Sequence, residues 1–212
     1  MSHMRSNTVR RVALLVLFIG AGIGCSDDEV TVDVDARVQS DASTGGEVDA
    51  APAETRVFVT SAKYDGNLGG LIGADAECQT LAGAESLGGV WLAWLGDGTD
   101  GPVTRFVQAD TPYRLVGGDV VADDWTDLVD GTIAVPIDHD ETGTELPAAD
   151  DMIVWTAVFH TGGDPTPVNC TGWTVADASL VPTGLADKTD TGWTVFAPHD
   201  CDEMHRLYCF EQ

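Results

Sequence analysis

Four cysteines, Cys78, Cys170, Cys201 and Cys209, constrain this chain more than any other feature. Three of them fall within the last 43 residues. Their number is even and the chain opens on an export signal, so they read as two disulfides formed in an oxidising compartment. Spacing alone leaves all three pairings of four cysteines open. Each bridge contributes roughly 2–4 kcal/mol, which suits a loop-heavy domain. Zinc is the competing use, since His199, Cys201, His205 and Cys209 cluster near the end of the chain. Structural zinc sites carry tightly spaced ligand pairs such as Cys-x-x-Cys. Here the spacings are loose, and disulfides are the preferred reading.

Residues 1–24 read as a signal peptide rather than as fold. Arg5, Arg10 and Arg11 make a basic n-region, Val12 to Ile19 a short apolar run, and Gly20-Ala21-Gly22-Ile23-Gly24 a small-residue end before Cys25. The apolar run is too short for a comfortable membrane span. An exported chain with cysteine at its first mature position resembles a bacterial lipoprotein, which implies a diacylglycerol on the Cys25 thiol. Ser26 directly after it resembles an outer-membrane sorting signal. The expected location is the outer membrane or cell surface, with the membrane as a partner through the lipid anchor. Residues 25–54 are then the lipidated cysteine and a disordered acidic tether. Positions 26–54 hold nine acids against one base, Arg37, and no aromatic residue. Such a composition buries too little to offset the entropy of ordering, and its like charges extend it.

Residues 55–212 are of ordinary size for one domain. They carry 26 Asp plus Glu against six Lys plus Arg. Nucleic acid needs a basic footprint, so it is excluded as a partner, as is docking on anionic lipid head groups. Arg56 to Thr60 alternates as an opening strand. Tyr64 to Gly70 is turn chemistry. Ile72 to Ala82 has Ala74, Cys78, Leu81 and Ala82 at helical spacing, which points Cys78 inward. Further strands are expected at Val90–Leu95, Tyr113–Val116, Ile153–Phe159, Gly192–Phe196 and Arg206–Phe210, with weak ones at Val120-Val121 and Ile133–Val135. His160 to Thr191 is a long Gly/Pro/Asp-rich region. The expected class is α+β, with one helix, mostly antiparallel strands, long loops and two disulfides.

Val57-Phe58-Val59-Thr60, Asn67-Leu68-Gly69-Gly70-Leu71, Ala74-Asp75-Ala76-Glu77-Cys78-Gln79, Val154-Trp155-Thr156, Asn169-Cys170-Thr171-Gly172-Trp173 and Leu207-Tyr208-Cys209-Phe210-Glu211-Gln212 occur in that order. With this cysteine spacing the domain resembles a C-type-lectin-like fold. More closely, it resembles a bacterial lipoprotein domain family of unknown function whose fold is akin to lectins and endostatin. The resemblance implies that Cys78 pairs with Cys209 and Cys170 with Cys201. In lectins of this fold, Glu-Pro-Asn or Gln-Pro-Asp in the long loop and Trp-Asn-Asp near its end hold Ca2+ and sugar together. This chain has Gly163-Asp164-Pro165-Thr166-Pro167-Val168-Asn169 and Trp193-Thr194-Val195 at those places. Val195 has no side-chain oxygen for a hard cation.

The expected function is therefore non-catalytic binding of an extracellular glycan or protein through the long-loop face, Phe159 to Val195. The six tryptophans are core anchors by size. Trp173, lying in the long loop, is also the candidate to stack on a ligand, with Asn169 and Asp164 as polar partners. No cofactor is required, and Ca2+ is the cation that a clustered oxygen set would suit. Asp138, Asp140 and Glu141, with Glu145 near, form that set, although the Gly and terminal Glu of an EF-hand loop are lacking. The alternative reading against which this is weighed is a solvated acidic loop. Catalysis finds little support. Gly-x-Ser-x-Gly is absent, the cysteines are committed to bridges, and no spacing selects a carboxylate pair. The alternatives from other classes are a cell-surface enzyme acting on polysaccharide or peptide, and a structural envelope protein without a small ligand.

Overall fold

The computed structural model describes residues 54–147, 152–163 and 169–212. Residues 1–53, which include the expected signal segment, Cys25 and all of the expected acidic tether but Glu54, lie outside the described residues, as does Asp164.

The last strand, β8 (Arg206–Glu211), is the centre of the sheet. Its residues are buried from Arg206 through Phe210 without alternation, as a strand covered on both faces requires. Along one edge runs the first strand, β1 (Thr55–Val59), antiparallel, with Val57 opposite Phe210 and Val59 opposite Tyr208. The other edge is shared end to end. β5 (Ile153–Trp155) lies parallel beside Arg206 and Leu207, and β2 (Trp91–Ala93) lies antiparallel beside Cys209 to Glu211. Beyond β1 come β3 (Tyr113–Leu115), parallel to it, and β4 (Val120–Ala122). Beyond β5 come β6 (Leu180–Leu185) and the edge strand β7 (Ala197–Asp200). The result is one eight-stranded, mostly antiparallel sheet.

The one long helix is α1 (Gly70–Ala84). It opens at Gly69 and Gly70, whose φ of 81° and 82° suit glycine alone without strain. Ala74, Cys78 and Ala82 stand four apart on its buried side, and their small side chains let the helix lie close on the sheet. Three one-turn helices complete the set: α2 (Pro102–Arg105), α3 (Trp125–Leu128) and α4 (Cys170–Trp173). Cys78 of α1 is bonded to Cys209 of β8, and Cys170 of α4 to Cys201 in the turn after β7. Both are the expected pairs.

Side-chain alternation along β1 and β8 splits the core into two faces. Val57, Val59, Tyr208 and Phe210 join Trp94, Phe106 and Trp193 on one face. Phe58, Leu207 and Cys209 join Trp91, Trp155, Trp173 and α1 on the other. Trp94 is the aromatic centre of the first, with the rings of Trp193, Phe210, Phe106 and Trp125 between 4.9 and 6.0 Å away. Five of the six tryptophans are fully buried and Trp125 is partly so.

Three expectations are corrected. The strand expected over Ile153–Phe159 ends at Trp155, because Thr156 turns its hydroxyl to the Thr194 carbonyl (2.7 Å) and Ala157 adopts a φ of 49°. The strand expected over Gly192–Phe196 is a 3-10 turn at Thr191–Trp193, capped by the Asp190 carboxylate accepting from the Gly192 N–H. Ile133–Val135 forms no strand and instead ties its N–H groups to the carbonyls of Thr189 and Val121. Conversely, β6 lies inside the Gly/Pro/Asp-rich stretch His160 to Thr191, and β7 lies beyond it where no strand is expected. Pro182, Gly184 and Pro198 argue against strands in sequence. Gly184 is needed because a Cβ there would come 2.0 Å from the Trp193 carbonyl oxygen. Among the described residues no helix is long and apolar enough to cross a membrane.

Candidate functional site

The long-loop face begins at α4, whose four residues all have positive φ: Cys170 51°, Thr171 53°, Gly172 66° and Trp173 64°. A left-handed turn costs roughly 1–2 kcal/mol for each non-glycine residue. Tertiary contacts hold it. The Asn169 side-chain oxygen accepts from the Gly172 N–H at 2.8 Å, and Cys170 is bonded to Cys201. The turn drives the Trp173 indole inward. There it is fully buried, edge-on to Trp155 at 5.9 Å, and donates from Nε1 to the Gly96 carbonyl at 2.7 Å. Trp173 is thus a core anchor and presents no face for a ligand, a correction to its place among the candidate binding residues. Asn169 is corrected likewise, being 5 % exposed and engaged in the cap. The third candidate, Asp164, lies outside the described residues.

In and just beyond the long loop other side chains are exposed. Phe159 and Leu180 within it, and Phe196 and Met204 after it, are each about half exposed, at 45, 52, 53 and 51 %. Pro182, Val195, Phe196, Ala197 and Pro198 line a shallow, mainly apolar hollow of ≈ 270 Å³ on the β6–β7 hairpin. Paired prolines, Pro182 opposite Pro198, give it a stiff floor. A larger cleft of ≈ 420 Å³ opens at the start of α1 beside Ile72, Asp97 and Asp100. Its ion pair, Arg105 to Asp75 at 2.5 Å, serves the fold, since Asp75 also accepts from the Ala93 N–H and Arg105 donates to the Ala93 carbonyl.

The acidic set Asp138, Asp140 and Glu141 sits in a tight hairpin closed by a bridge between His139 and Glu145. Each carboxylate has its own partner. Asp138 accepts from His139 Nδ1 at 2.8 Å. Asp140 accepts from the Thr142 N–H and hydroxyl and from the Thr144 N–H. Glu141, 5 % exposed, accepts from the Ser61 N–H at 2.9 Å and from the Ser61 hydroxyl. Their partners differ, and the three do not converge on a common point.

A second constellation does converge. His199 on β7, Glu203 in the following turn and His205 just before β8 bring one ligand atom each within 4.8 Å of one another. Among the described residues this is the group of metal-binding side chains so placed. His199 Nδ1 lies 2.8 Å and His205 Nε2 3.0 Å from the same Glu203 oxygen. The hydrogen bond from His199, joined by that from His205, holds the Glu203 carboxyl below its usual range. The His205 ring is 4 % exposed and stacks edge-on against Trp155 at 4.5 Å, while the His199 ring is 22 % exposed. Sequence reading grouped these histidines with Cys201 and Cys209. The structure takes both cysteines into disulfides and supplies Glu203 instead. The signal was the short span His199-x-x-x-Glu203-x-His205 across a turn between two strands. No protein-family model matches the chain, and a search of curated proteins finds no match to it.

Proposed function

We propose that this chain is an exported surface protein, lipid-anchored at Cys25, whose C-terminal domain has a C-type-lectin-like fold. In this reading the domain binds an extracellular glycan or protein through its long-loop face, without catalysis and without a required cofactor. The pairing of first and last strands, the helix stapled to β8 and the second disulfide within the long-loop region support the fold assignment. The observation that carries the function is the apolar hollow on β6–β7, where Pro182 and Val195 of the long loop meet Phe196, Ala197 and Pro198 just beyond it. Phe196 and the two prolines offer flat, rigid, half-wet surface of the kind on which a sugar ring or an apolar side chain packs.

The test is binding of the purified protein to an array of glycans and matrix proteins, with Ca2+ and again with EDTA. The expected result is a ligand retained in EDTA, lost on Phe196→Ser and kept on Ile72→Ser, which alters an exposed residue on α1. A ligand lost in EDTA and restored by Ca2+ would return the acidic oxygens to the site. Equal binding by both variants, or no binding, would defeat the reading.

A further inference from the structure

We infer that His199, Glu203 and His205 form a binding site for a divalent transition metal, with Zn2+ the best-matched ion. Two imidazoles and one carboxylate are an established zinc donor set, leaving a further coordination position to water or another ligand. Ligands on one tetrahedral zinc stand roughly 3.3 Å apart, given bonds of about 2.0–2.1 Å. The two nitrogen–oxygen distances of 2.8 and 3.0 Å open by a few tenths of an ångström, and the two histidine nitrogens, within 4.8 Å of each other, close toward the same spacing by small side-chain rotations. The protons now shared between the rings and the carboxylate would leave on binding, since these ligands coordinate in their deprotonated forms. Ca2+ is the wrong partner, because it requires oxygens throughout.

The set is built by the fold rather than assembled by an ion. β6 holds His199 in register opposite Val181. His205 is clamped on both sides: its backbone exchanges two hydrogen bonds with Tyr64 (2.7 and 2.9 Å), and its ring lies against Trp155. The intervening turn is fixed by the Cys170–Cys201 bond and by the Cys201 and Asp202 N–H groups donating to Ser179 and Asp177. Glu203 is the most exposed of the three, at 45 % for its side chain, so the open side of the trio faces solvent. Metal ligands held this way lose little freedom on binding. The site is independent of the apolar hollow, and either assignment stands if the other fails.

The test is a Zn2+ titration of the full chain with both disulfides intact, read by a competing chelating dye and by the visible bands of Co2+ in its place. One equivalent is expected to bind with low-coordinate Co2+ bands. His199→Ala and Glu203→Gln should each weaken it by at least the roughly 10–100-fold that loss of an outer hydrogen-bond partner costs a zinc site. His160→Ala, outside the trio, should leave it unchanged. Both substituted side chains are partly exposed, so circular dichroism is expected to report an unaltered fold. Absence of Zn2+ binding by the folded protein, or binding that neither His199→Ala nor Glu203→Gln weakens, overturns the assignment.

Discussion

The hairpin around Asp138, Asp140 and Glu141 and the turn carrying His199, Glu203 and His205 make an instructive pair. The first is dense in oxygen over four residues, and its carboxylates diverge into separate hydrogen bonds. The second spreads three ligands over seven residues and converges them on one point. Asp140 is drawn to Thr142 and Thr144, and Glu141, in the turn, to Ser61, so density along the chain does not by itself give convergence. Residues 199 and 205 instead flank a turn between two strands, where chain reversal brings their side chains together. The two regions also share a support. Ser61, just after β1, donates to Glu141, and Tyr64, three residues on, pairs with His205.

The largest effect expected on this comparison comes from removing the brace on one side only. Replacing both Cys170 and Cys201 with Ala frees a 31-residue separation and should cost about 3–4 kcal/mol of stability by the chain-entropy model. Urea unfolding measures it. Zn2+ affinity should fall in the same variant although no ligand atom is lost, and unchanged affinity would mean the turn holds itself. Next, Glu141→Gln should cost about 1–3 kcal/mol, because a buried carboxylate loses charge-assisted bonds to Ser61. Millimolar Ca2+ should leave the melting temperature of the unsubstituted protein where it was. A rise that Glu141→Gln abolishes would restore the hairpin as a cation site.

The smallest effect concerns Tyr64, placed between the two regions. Burial first, then Glu77 and finally the charge of Glu141, push its phenol above the ordinary value. The folded state therefore holds that proton more tightly than the unfolded chain does. The resulting stability is fully present below the unfolded value of about 10 and is lost as pH rises above it. Phenolate absorbance, taken as the difference from Tyr64→Phe, should show Tyr64 ionising late. Glu141→Gln should move that ionisation slightly downward, and an upward move would contradict the assigned neighbourhood.

Much of the fold was legible along the chain. The alternation of Val57, Phe58 and Val59, the four-residue spacing of Ala74, Cys78 and Ala82, and the continuous apolar run of β8 are local consequences of strand and helix geometry. β6 and β7 were not legible, because Pro182, Gly184 and Pro198 carry loop propensities. Their places in the sheet are decided by the Trp193 carbonyl lying over Gly184 and by the pairing of Pro182 with Pro198. Of the two roles read for Trp173, core anchor and ligand-stacking residue, the structure keeps the first: a left-handed turn, braced by Asn169 and the Cys170–Cys201 bond, points it into the core.

The sequence by itself determined the elements whose periodicity is local, the even set of cysteines and the strongly acidic balance of the domain. Only the tertiary structure decided which side chains meet. It buried Asn169 and Trp173, separated the oxygens of Asp138, Asp140 and Glu141, and brought Glu203 to a point between His199 and His205. Periodicity is a property of neighbours in the chain, whereas a site is a property of neighbours in space. Those spatial neighbours are set by the register of β6 on β7, by the pairing of Tyr64 with His205, and by a disulfide whose two halves lie 31 residues apart.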